Sequence, residues 1–168
     1  MRASLATCVA VAIACFATTA SAQEYLVGAS ADLSSGIQGG GGGATSSFRR
    51  ARTTIRLGAD LRVDEFPKDI FFGALVIEME PRAGVGADFR YIRMLAPKDF
   101  VFIGVEGIIM PQTLFGGSVG YTHRIPLSPK VSITAGPMLQ VCFLGGDLPD
   151  NTIIWQTLLQ IGFRADLF

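Results

Sequence analysis

Residues 54–64 read TIRLGADLRVD and alternate without a break. Ile55, Leu57, Ala59, Leu61 and Val63 fall on one side of an extended chain. Thr54, Arg56, Gly58, Asp60, Arg62 and Asp64 fall on the other. A helix would mix the two sets, so a period of two over this length is a strand with one apolar and one polar face. Such a strand needs edge partners and a cover for its apolar face, which restricts the chain to a sheet that closes, packs or enters lipid.

The same phase recurs in residues 25–34, 70–80, 84–94, 100–109, 114–125, 131–143 and 153–167, making eight strands with 54–64. Strands 70–80 and 100–109 are the least clean, because Phe72, Val76, Phe100, Phe102 and Ile108 put apolar groups on the second face as well. Pro67-Lys68-Asp69, Pro97-Lys98-Asp99 and Pro129-Lys130 are turn signals about 30 residues apart. Each interval holds two strands, so the unit is a hairpin repeat. The other connections are 35–47, 81–83, 110–113 and 145–151. All are short enough for neighbouring antiparallel strands, and none leaves room for a crossover helix. The expected fold is all-β: an eight-stranded antiparallel up-and-down β-barrel.

Composition narrows the function classes. Fourteen Lys and Arg balance fourteen Asp and Glu, which gives no electrostatic footprint for nucleic acid. One His, three Cys and no CxxC or HExxH leave no expected metal site or cofactor. After residue 22 no stretch provides about 20 predominantly apolar residues for a helical span.

Residues 1–22, MRASLATCVAVAIACFATTASA, have a positive start, an uncharged apolar stretch and an Ala20-Ser21-Ala22 cleavage site. That is the pattern of a removed secretory signal peptide. A lipoprotein cut before Cys15 is the alternative, but Ala12-Ile13-Ala14 lacks the usual Leu. Cleavage after Ala22 leaves 23–168 as the folded domain, with Cys142 its only thiol. Export with a single thiol fits a bacterial envelope.

Which face points inward decides the solvent outside. The apolar faces are nearly free of charge; Arg93 and His123, near strand ends, are the exceptions. The opposite faces carry Arg56, Asp60, Arg62, Glu78, Asp88, Arg90, Glu106, Arg124 and Arg164, opposite charges in close supply, with abundant Gly and Ser. Apolar-face aromatics cluster near strand ends: Tyr25, Phe71, Tyr91 and Tyr121 at one end, Phe115, Phe143 and Trp155 at the other. Two such girdles around an apolar band are the pattern of a transmembrane barrel. A soluble lipocalin-like barrel, apolar face inward, is the alternative; it would carry more than three Lys on its solvent face.

On these residues the chain resembles the small eight-stranded outer-membrane β-barrel proteins, of the kind of OmpX and the membrane domain of OmpA, over residues 24–168. The resemblance implies a Gram-negative outer-membrane location with both termini and the Pro-Lys turns in the periplasm. It also implies a terminal aromatic, here Phe168, read by the barrel-assembly machinery, although the apolar phase of the last strand runs through Phe163, Ala165 and Leu167. Pro137 inside strand 131–143 removes a ladder donor, and a local bulge is expected there. The connections 35–47, with its run Gly39–Gly43, and 145–151 then face outside.

An eight-stranded barrel is about wide enough for its own side chains, so the inward charges are expected to form a salt-bridge network rather than a porin-like path. The expected role is structural or accessory, as an envelope component that contacts outer-membrane lipid and lipopolysaccharide and an envelope protein partner not named by the sequence. A narrow channel is the alternative. Some small outer-membrane barrels are lipid A deacylases or acyltransferases, but that chemistry needs a nucleophile, base and acid together. His123, the only His, lies on the apolar face at the periplasmic end, so no catalytic residues are assigned. Cys142 is expected to be a buried, inert thiol. Arg49, Arg50 and Arg52 cluster at the outer end of the second strand and are candidates for lipopolysaccharide phosphates, because the guanidinium fork matches phosphate.

Overall fold

The computed structural model describes residues 25–41, 49–50, 52–63, 65–80, 83–146, 148 and 152–167. The expected signal segment and Phe168 lie outside the described residues, as do the side chains of Tyr25, Arg49 and Arg50. Eight long strands form the wall: β1 (Tyr25–Gly41), β2 (Thr53–Val63), β3 (Asp69–Glu80), β4 (Gly84–Ala96), β5 (Asp99–Met110), β6 (Leu114–Pro126), β7 (Val131–Leu144) and β8 (Ile153–Asp166). Each pairs antiparallel with the next, and β8 returns to β1. The sheet therefore closes and has no free long edge.

The ladder register fixes the shape. Ala29 pairs with Ala59, which pairs with Gly73, and the path continues through Phe89, Val105, Gly117, Val141 and Trp155 to Gly39. One circuit thus climbs from residue 29 to residue 39 of β1, a shear of ten. With strands about 4.7 Å apart and about 3.3 Å per residue, that shear tilts the strands by about 40° and gives a backbone radius of about 8 Å. Both described chain ends and three tight turns lie at one end, called the turn end. The other four connections lie at the loop end. At the turn end, Lys68, Lys98 and Lys130 carbonyls accept the N–H groups of Met94, Arg124 and Asp166 at 2.7–2.8 Å, so the three turns share one closing bond.

Two sequence expectations need correction. β1 continues to Gly41 instead of ending at Ser34, and Arg49–Arg50 pairs with Ile37 and Gln38. The segment after Ser34 has few apolar residues and so reads as loop, yet glycine suits it to this wall. A Cβ on Gly36 would stand 2.0 Å from the Thr157 carbonyl oxygen of β8. Pro137 makes no bulge. The β7–β8 register runs unshifted through Pro137↔Leu159, and the β6–β7 register is the same on either side of it. The register shifts fall nearer strand ends, at Thr53/Thr54, Val85/Gly86, Met94/Ala96 and Phe115/Gly116.

Candidate functional site: a charged lumen inside an apolar-faced wall

The alternation in each strand sends one set of side chains inward and the other outward. In β2, Arg56 and Asp60 are 0% and 3% exposed, while Leu57 and Leu61, each the next residue along, are 47% and 38% exposed. Phe71, Leu75, Phe89, Ile103, Val105, Val119, Leu139, Leu159, Ile161 and Phe163 continue the exposed apolar surface around the barrel. The apolar faces therefore point out, the reverse of a soluble lipocalin-like barrel. From Asp69 to Met79, the first and eleventh residues of β3, the outer surface rises about 25 Å at this tilt, the height of the apolar band of a membrane barrel. The outward aromatics sit where the girdles are expected. Phe71, Tyr91 and Tyr121 lie toward the turn end, and Phe115, Phe143 and Trp155 toward the loop end.

The middle of the lumen is an ion-pair layer. Arg56 Nε donates to Asp88 Oδ2 at 2.9 Å and lies 3.1 Å from Glu106 Oε2, and its Nη2 also bonds Glu106. Its Nη1 donates to Ser34 Oγ at 2.6 Å. Arg90 Nη2 pairs with the same Asp88 oxygen at 2.6 Å, and Gln140 Nε2 donates to Glu106 Oε1 at 3.0 Å. Strands β2, β4 and β5 supply the charges, and β1 and β7 supply the supporting hydroxyl and amide. Burying these ions carries a large desolvation cost, offset only because each is paired and hydrogen-bonded.

A second layer closes the turn end. Arg164 pairs with Asp60 and, through Nε, with Asp166 at 3.1 Å. Arg124 bonds Asp166 at 2.6 Å and Ser132 at 2.8 Å. Arg62 shares this end and interacts electrostatically with Asp60 and Asp166. Toward the loop end, Arg52 pairs with Glu78, both buried. The nine charged residues expected in the lumen all line it, grouped in these three sets.

Three features of the interior differ from the sequence reading. Arg52 faces Glu78 inside the wall rather than the outer surface, so it is not placed for the phosphate contact expected of it. Asp166, Gln140 and Gln160 join the network, and Asp32 beside it accepts from Thr134 at 3.4 Å; all four stand in the inward phase, which is the signal that could have found them. The lumen also holds apolar clusters. Phe102, Met138 and Leu158 pack with Ile92, and Val76, Ile108, Leu114 and Cys142 pack with Leu148 and Ile154. The second faces of strands 70–80 and 100–109 looked unclean because Phe72, Val76, Phe102 and Ile108 fill the interior. Arg90 bridges the two chemistries, its guanidinium 4.4 Å from the Phe102 ring centroid.

A cavity of about 50 Å³ lies between the turn-end and middle layers, lined among others by Ser30, Asp32, Asp60, Arg90, Thr134 and Gln160. That is room for a few waters. Cys142 is buried in the loop-end cluster. His123 points outward, its Nδ1 2.8 Å from Asp99 Oδ1. Among the described residues no group of three or more His, Cys, Asp or Glu side chains is placed to hold a metal ion.

No protein-family model matches the chain, and no curated protein matches it. Among solved structures it is similar to Neisserial surface protein A, with a TM-score of 0.45 and 12% identity over 88% of this chain and 100% of that one. The architecture of this chain is fixed by its own register: a closed, all-antiparallel barrel of eight long strands.

Proposed function

We propose that this chain is an integral protein of the bacterial outer membrane with a structural or accessory role in the envelope, exported by its cleaved N-terminal segment and inserted by the barrel-assembly machinery. The observation that carries this reading is the division of each strand between an outward apolar band and an inward, paired and packed interior. An enzyme needs a reactive group facing substrate; here Arg56, Asp88, Arg90 and Glu106 in the middle layer, and Asp60 with Arg164 below it, are paired with one another. A conducting pore needs a continuous aqueous path; here the Arg56–Asp88–Glu106 layer and the loop-end cluster around Val76, Ile108 and Cys142 stand across it. Arg49 and Arg50, at the loop end, remain the candidates for lipopolysaccharide phosphate.

Envelope fractionation with gel electrophoresis of unheated and boiled samples tests the location. An outer-membrane band whose mobility shifts on boiling is expected; a soluble periplasmic band with no shift overturns the reading. Planar-bilayer recording tests the sealed lumen. No steady conductance is expected, and reproducible single-channel steps overturn it.

A further inference from the structure

Two outward clusters repeat at a spacing of thirty residues. Asp69 stands directly opposite Arg93 in the β3–β4 ladder, and Asp99 directly opposite His123 in the β5–β6 ladder. In the first, Tyr91 donates to Asp69 Oδ1 at 2.7 Å, and Arg93 Nη1 lies 3.5 Å from the same oxygen. In the second, Tyr121 donates to Asp99 Oδ1, and His123 Nδ1 lies 2.8 Å from that oxygen. Lys68 and Lys98 precede the two aspartates, each exposed and held in its turn by the backbone bond described above. The clusters sit side by side on β3–β6, along the turn-end border of the apolar band.

These contacts all fall on Oδ1 of each aspartate, and Oδ2 takes part in none of them. Arg93 is engaged through Nη1 alone. At headgroup depth the first cluster thus offers an anionic acceptor with Lys68 and Arg93, and the second an anionic acceptor with Lys98 and the His123 ring. That is the charge complement of a lipid bearing both a primary ammonium and a phosphate.

We propose that the clusters are paired subsites for a phospholipid with a zwitterionic aminoethyl phosphate headgroup. The ammonium donates to Asp69 or Asp99, and the phosphate is held by Lys68 with Arg93, or Lys98 with His123. The phenols of Tyr91 and Tyr121 fix the carboxylates in place. This inference rests on the reading that the apolar band lies in a bilayer.

The test is native mass spectrometry of the purified protein released from nanodiscs of equal parts phosphatidylethanolamine, phosphatidylcholine and phosphatidylglycerol. Two retained phosphatidylethanolamine molecules are expected, favoured roughly tenfold over the others, the range of one charge-assisted hydrogen bond. Phosphatidylcholine has no N–H for the carboxylate, and phosphatidylglycerol has no cation. Arg93→Gln and His123→Gln each remove one retained lipid, and the double variant removes both, with the heat-dependent gel shift unchanged as the folding control. Equal retention of the three lipids, preference for phosphatidylglycerol, or variants that keep both lipids overturn this inference alone. A protein that does not enter nanodiscs overturns the bilayer reading as well.

Discussion

The two sides of β2 share a backbone and differ in everything else. Inside, Arg56 contacts two carboxylates and a hydroxyl in a space with no room for bulk water. Outside, one residue along, Leu57 lies open on the surface. The same guanidinium that is satisfied at 56 would have no partner among the apolar side chains around 57. Residue type alone does not settle where a charge is tolerated; the partners and the solvent on that side do.

The largest effect is expected inside. Arg56→Met leaves Asp88 and Glu106 buried with too few donors, and should cost about 3–5 kcal/mol of unfolding free energy. Urea titration in liposomes measures it; a loss below about 1 kcal/mol would mean that water reaches the layer.

Next comes the outside. Leu57→Arg should cost about 2–4 kcal/mol, because the site lies near the middle of the apolar band. The same substitution on a surface facing water would stay within about 0.5 kcal/mol. The two figures do not overlap, so this variant separates a lipid-facing wall from a solvated one.

A smaller effect tests how tightly the two sides are joined through the wall. Gly58 faces inward between Arg56 and Asp60, and a Cβ there would stand 2.5 Å from the Phe72 ring. Gly58→Ala should cost about 1–3 kcal/mol by overpacking. No loss would show that the turn-end half of the lumen is loose.

The smallest effect belongs to the border between the two sides. Arg93→Gln exchanges one exposed, hydrated group for another, so the unfolding midpoint should not move while lipid retention does. A large fall in stability would make Arg93 a structural residue.

The barrel was legible in the sequence because an apolar face outside and packed charge inside both enforce strict alternation. Seven of the eight strands lie within a residue or two of the stretches that alternation marks, such as 54–64 against Thr53–Val63. β1 was read short because Ser35, Gly36, Gly39 and Gly40 carry no hydrophobic signal; their place in the wall depends on close approach to β8, a long-range fact. The inward charges were legible by phase, but their partners were not. Arg56 meets Glu106 across fifty residues of sequence, and no local pattern encodes that pairing. Arg52 was misread because a cluster of three arginines looks like one surface, whereas the last of them turns inward to Glu78. The apolar interior clusters were half legible, appearing only as strands that failed to alternate cleanly.

The central claim is that the outer face touches lipid, and the chain carries its own probe. Its single tryptophan, Trp155, lies on the outward face near the loop end. In vesicles of lipids brominated at successive acyl positions, its fluorescence should be quenched, most strongly by bromines nearest the headgroup, and aqueous iodide should have little effect. Quenching by iodide with no response to brominated lipid would place the outer face in water and contradict the account.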